Sequence, residues 1–138
     1  MYLHRQLEKP LLEALRHFPA VLITGCRQSG KSTLLQHILK KYNYISLDDM
    51  LIRNLAENDP SLFLKTYTPP LILDEIQYAP NLLPYLKIHI DKDRRNYGQY
   101  ALTGSQIFPL MKGVSESLAG RIAIFQLYPL SWKEIPDI

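Results

Sequence analysis

Residues 25 to 32 read Gly-Cys-Arg-Gln-Ser-Gly-Lys-Ser, a complete G-x-x-x-x-G-K-[ST] run between the apolar stretch Ala20-Val21-Leu22-Ile23 and a helical pattern. A buried strand that turns through such a loop into a helix restricts the chain to layered α/β architectures. The first N–H groups of a helix lack partners within it, and with the loop's own amides they form a concave nest suited to a phosphate. Gly25 and Gly30 can take positive φ and let the main chain approach the anion without an intervening Cβ. Lys31 is placed to reach the β and γ phosphates of a nucleoside triphosphate, and the Ser32 hydroxyl to ligate Mg²⁺. The expected nucleotide-binding set is therefore Gly25, Cys26, Arg27, Gln28, Ser29, Gly30, Lys31, Ser32 and Thr33.

The 138 residues are enough for one domain with a sizeable core, and 46% apolar with 21% charged residues excludes a disordered or low-complexity chain. A net charge of +3 is compatible with nucleic acid as a partner without demanding it. The basic residues are scattered apart from Lys40-Lys41 and the run Lys92-Asp93-Arg94-Arg95, which reads as a solvated loop. A lone cysteine, Cys26, excludes an internal disulfide, and His4, His17, His37 and His89 lack metal-ligand spacing. With no signal peptide and no apolar run near membrane-spanning length, the expectation is a cytoplasmic protein without membrane attachment.

Apolar residues at three- and four-residue intervals predict a first helix over residues 3–18, broken or restarted at Pro10, and a second from the loop to about Tyr42. Further helices are expected from Met50 to Glu57, Ser61 to Tyr67 and, capped by Asn81, Leu82 to Asp91. Strands are expected at Ala20 to Ile23, Tyr44 to Leu47, Leu71 to Leu73, Gln99 to Thr103 and Ile122 to Leu127. Strands alternating with helices predict a parallel sheet covered on both faces.

Leu71-Ile72-Leu73-Asp74-Glu75 is an apolar strand ending in two acids, and a desolvated carboxylate there needs a partner. Bound Mg²⁺ would provide one for Asp74, and Glu75 would then stand where it can accept a proton from an attacking water. Without the loop upstream, the same acids could simply cap the next turn. Thr103-Gly104-Ser105 ends the fourth strand, where an adjacent parallel strand would bring its hydroxyls near the same metal and γ-phosphate. Arg121, just before the fifth strand, reads either as a surface or helix-end residue or as a cation that neutralises a transferring phosphoryl group.

Taken together, the loop, the D-E strand, Thr103-Gly104-Ser105 and Leu118-Ala119-Gly120-Arg121 resemble the AAA-type ATPases, more narrowly the prokaryotic family with a separate C-terminal domain. Ser46-Leu47-Asp48-Asp49, Asp74 to Pro80, Leu102 to Gln106 and Met111 to Arg121 carry the closer resemblance, although Cys26 stands where that family would place a proline. The resemblance implies a P-loop NTPase three-layer sandwich with a five-stranded, mainly parallel sheet in the order 5-1-4-3-2. It implies ATP and Mg²⁺ as cofactors, Ser32 and Asp74 as metal ligands, and Lys31 as a catalytic residue. Glu75 would be the base, Thr103 or Ser105 the sensor, and Arg121 a finger acting on a neighbouring copy's nucleotide in a homo-oligomer. It also implies a truncated chain: one nucleotide-binding core over residues 1–138, without the lid and C-terminal domain, leaving Leu127, Leu130, Trp132 and Ile135 without local partners. Two other functions fit the residues: a small-molecule P-loop kinase, and a nucleotide-gated DNA- or protein-interaction module using Lys92, Arg94 and Arg95.

Overall fold

Strand β1 (Ala20–Thr24) is buried along its whole length, and its side chains alternate between two cores. The computed structural model describes residues 5–26 and 30–128. The other strands are β2 (Asn43–Ser46), β3 (Leu71–Asp74), β4 (Tyr100–Gly104) and β5 (Ile122–Gln126). They form one sheet in the order β2-β3-β4-β1-β5 with every pair parallel, the arrangement expected.

Ala20, Leu22, Leu71, Leu73, Tyr100 and Leu102 point to one face. There they pack against α3 (Met50–Asn58), α4 (Pro60–Thr66), α5 (Leu82–Lys92) and α6 (Phe108–Leu118). Val21, Ile23, Ile72 and Ala101 point to the other face, covered by α1 (Glu8–Ala14) and α2 (Lys31–Ile38). This period-two alternation lets short apolar strands feed two cores at once, each fully buried Leu or Ile contributing roughly 1.5–3 kcal/mol.

Several local expectations need correction. The first helix covers Glu8–Ala14 rather than residues 3–18, of which the first two lie outside the described residues. Pro10 sits in its opening turn, where a missing N–H costs nothing. Beyond Ala14 the chain tightens through Arg16 N–H to Glu13 O and His17 N–H to Ala14 O. Helix α2 stops at Ile38, well short of Tyr42, whose hydroxyl instead donates to Gly98 O at 2.7 Å. Asn81 does not cap α5 with its side chain; its amide donates to Glu57 O at 3.3 Å. Asp49 does cap, accepting from Leu51 and Ile52 N–H at the start of α3. Helix α6 and the 3-10 turn Ile76–Tyr78 lie in segments where spacing alone marked no element.

Candidate functional site

All five strands run the same way, so the ends of β1, β3 and β4 share one edge of the sheet, where ligands of open α/β sheets bind. β1 delivers the chain to Gly25 and Cys26; Arg27, Gln28 and Ser29 lie outside the described residues. Gly30 then takes φ +91° and opens α2. Among the described glycines positive φ occurs at Gly30, Gly98 and Gly120, so Gly25 makes its turn without it.

Lys31 follows at the first position of α2 and is only 6% exposed. Its Nζ donates to Gly25 O at 3.1 Å and Cys26 O at 2.9 Å. A buried ammonium requires compensation, and among the described residues this one has carbonyl dipoles but no carboxylate. One residue on, Ser32 Oγ donates to Gln36 Oε1 at 3.1 Å and lies 3.1 Å from the Tyr44 hydroxyl.

The register Leu73 to Leu102 brings Asp74 beside Thr103. Asp74, 7% exposed, accepts at Oδ1 from Thr103 Oγ1 at 2.5 Å and at Oδ2 from the Tyr44 hydroxyl at 2.7 Å. Burial raises the Tyr44 pKa, with the Ser32 bond lowering it and the Asp74 carboxylate raising it further, so the phenol stays protonated and donates. Ser32, Tyr44, Asp74 and Thr103 thus form one continuous chain of hydrogen bonds across α2, β2, β3 and β4.

Glu75 adopts φ +64°, a left-handed conformation costing a residue with a Cβ about 1–2 kcal/mol. Its N–H donates to Thr103 Oγ1 at 2.9 Å, and its Oε2 accepts from Gln77 Nε2 at 2.5 Å. Gln77 is oriented in turn, because its Oε1 accepts from Ser105 N–H at 3.2 Å. Gln77 therefore ties the strained acid to the end of β4. Gly104 permits this approach, since a Cβ there would stand 3.2 Å from Gln77 Oε1 and 2.6 Å from Leu110 Cδ2.

Two cavities meet at Lys31 and Glu75. One, about 170 Å³, is lined by Gly30, Lys31, Ser32, Thr33 and Glu75. The other, about 130 Å³, is lined by Lys31, Glu75, Gln77, Tyr78 and Ser105. The expected residues Gly30, Lys31, Ser32, Thr33, Asp74, Glu75, Thr103 and Ser105 are thereby gathered at one edge. Arg121 is not among them. It precedes β5 at the opposite edge, where its backbone O accepts from Ala20 N–H at the start of β1. Its guanidinium grips Asp91 at 2.7 and 2.9 Å, which lowers the Asp91 pKa and raises that of Arg121.

Tyr44 and Gln77 are the participants that motif spacing missed. Tyr44 reads from sequence as an ordinary strand aromatic, and Gln77 reaches the site only because the chain folds back at Glu75.

For a divalent cation, Ser32 and Asp74 supply the hard oxygen atoms that Mg²⁺ prefers. Among the described residues no three His, Cys, Asp or Glu side chains are grouped to hold a metal. A cation here would complete its shell with phosphate oxygens and water, as Mg²⁺ commonly does. No helix among the described residues is long and apolar enough to cross a membrane.

Comparison with known proteins bears on the same residues. The family model described as "AAA domain" matches residues 17–136. An uncharacterized protein of Mycobacterium tuberculosis is 32% identical over 133 residues, covering 91% of this chain and 28% of its own length. An uncharacterized protein of Methanocaldococcus jannaschii is 29% identical over 123 residues, covering 82% of this chain and 27% of its own. The chain thus spans little more than a quarter of these relatives. In fold it is similar to a Walker-type ATPase of Pyrococcus abyssi, with TM-score 0.64 and 21% identity over 96% of this chain and 55% of that one. A signal-transduction ATPase with a tetratricopeptide repeat sensor from Pyrococcus horikoshii superposes with TM-score 0.55 and 15% identity, over 97% of this chain and 24% of that one. The chain belongs to the AAA-domain family of P-loop ATPases and comprises a nucleotide-binding ATPase core of that kind.

Proposed function

We propose that the chain binds ATP with Mg²⁺ and hydrolyses the γ-phosphate, ATP rather than GTP being taken from family likeness. The carrying observation is Lys31: a buried cation without a carboxylate partner among the described residues, at the start of a helix and on the wall shared by both cavities. A polyphosphate is the anion that this position and the amides around Gly30 suit.

In this reading Gly25 to Thr33 wrap the phosphates and Lys31 exchanges its carbonyl partners for phosphate oxygens. Ser32 and Asp74 hold the cation, which when bound neutralises charge on the β and γ phosphates. Glu75, on the common wall, takes the proton from the attacking water, while Gln77 fixes its carboxylate. Thr103 steadies both acids, through Asp74 Oδ1 and the Glu75 N–H, and Ser105 lines the far wall. Water rather than a metabolite hydroxyl as acceptor is likewise taken from family likeness. The energy of hydrolysis would serve a region beyond this core, and the chain alone would turn over slowly. Arg121 has no part in its own chain's site; action on a neighbouring copy would require release from Asp91.

The reading is tested by two variants, with nucleotide binding followed by fluorescence and turnover by phosphate release without an added acceptor. Lys31→Ala is expected to abolish binding. Glu75→Gln is expected to preserve binding and remove most turnover, and equal turnover would reject Glu75 as the base.

A further inference from the structure

Tyr44 stands at the second position of β2, an edge strand, and its ring is partly exposed. Packing alone would not require a hydroxyl there. That hydroxyl nevertheless lies 2.7 Å from Asp74 Oδ2 and 3.1 Å from Ser32 Oγ, the two side chains assigned above to the cation. A phenol carries one proton and a carboxylate only accepts, so the proton goes to Asp74 and the phenol's lone pairs face Ser32. Ser32 can direct its own proton to Tyr44 or to Gln36 Oε1, each at 3.1 Å. Asp74 is thus gripped from both neighbouring strands, by Thr103 from β4 and by Tyr44 from β2.

We infer that Tyr44 is a positioning residue of the cation site, orienting Ser32 Oγ and Asp74 Oδ2 toward a common point without being a catalytic residue itself. This rests on the reading of Ser32 and Asp74 as cation ligands. Groups that orient metal ligands in this way usually cost about 10–100-fold in metal affinity when removed. Phosphate binding is a separate matter, assigned above to the loop amides and Lys31, whereas the Tyr44 hydroxyl is bonded to Ser32 and Asp74.

The test compares the affinity of wild type, Tyr44→Phe and Asp74→Asn for the fluorescent analogue mant-ATP, in saturating Mg²⁺ and in EDTA. The ratio of the two affinities measures metal coupling independently of turnover. Tyr44→Phe is expected to lower the ratio about tenfold while leaving the EDTA affinity and the thermal midpoint unchanged; Asp74→Asn is expected to lower it at least as far. If Asp74→Asn leaves the ratio intact, the cation assignment fails and this inference fails with it. If Asp74→Asn lowers the ratio but Tyr44→Phe leaves it unchanged, raises it, or weakens both affinities together, the assignment stands and Tyr44 is not a positioning residue.

Discussion

Tyr100, among the described residues the largest fully buried side chain, places its hydroxyl in an apolar core, where that oxygen has no hydrogen-bond partner among those residues. An unsatisfied buried polar group costs about 1–3 kcal/mol, so Tyr100→Phe should stabilise the protein by an amount of that order in urea unfolding. Burial also pushes the phenol up to about 12 from its ordinary 10. Between those values the unfolded chain has released a proton that the native state keeps. Stability therefore falls as pH rises through this window, by on the order of 2 kcal/mol. The Phe variant should lose less stability than wild type between pH 10 and 12, and parallel losses would exclude Tyr100 as the source. At this scale Lys31, Ser32, Asp74 and Glu75 were legible because fixed spacing in two short motifs specifies their places. Tyr44 and Gln77 were not, since one depends on the β2–β3 register and the other on left-handed backbone at Glu75.

At the scale of elements, Gly104 at the end of β4 leaves no room for a Cβ beside Leu110 of α6. An added methyl would stand 2.6 Å from Leu110 Cδ2 and 3.2 Å from Ile76 Cγ2 and Gln77 Oε1, forcing all three to move. Gly104→Ala should cost about 1–3 kcal/mol of stability, as overpacking commonly does, and should displace the Gln77 clamp, slowing turnover more than it weakens nucleotide binding. Unchanged unfolding and kinetics would show that Leu110 yields freely. Helix α3 offers a cleaner test of local chemistry: Asp49→Ala removes acceptors from two helix N–H groups and should cost about 1 kcal/mol. Alternating strands and helices were readable because apolar period and turn residues agree over most of the chain. Helix ends were less so, being settled by tertiary partners such as Gly98 O for Tyr42 and Glu57 O for Asn81. The place of Arg121 follows from topology rather than motif: a residue preceding a parallel strand sits at the edge opposite the loop that follows one.

Over the whole molecule, the candidate site draws on residues near positions 30, 44, 74 and 103, so a ligand there recognises the folded state alone. Mg²⁺-ATP at a hundred times its dissociation constant should add about 2.7 kcal/mol to stability and raise the melting temperature by several degrees, a shift that Lys31→Ala should erase. A full shift in that variant would place the nucleotide elsewhere. The sheet order carries one more consequence, for synthesis. β1 lies between β4 and β5, so the first of the five described strands in chain order gains its first neighbour among them only when residue 100 has emerged, 76 positions after Thr24 (100 − 24). At ribosomal speeds of about 5–20 residues per second, an apolar ribbon with both flanks bare must wait roughly 4–15 s for its first partner strand.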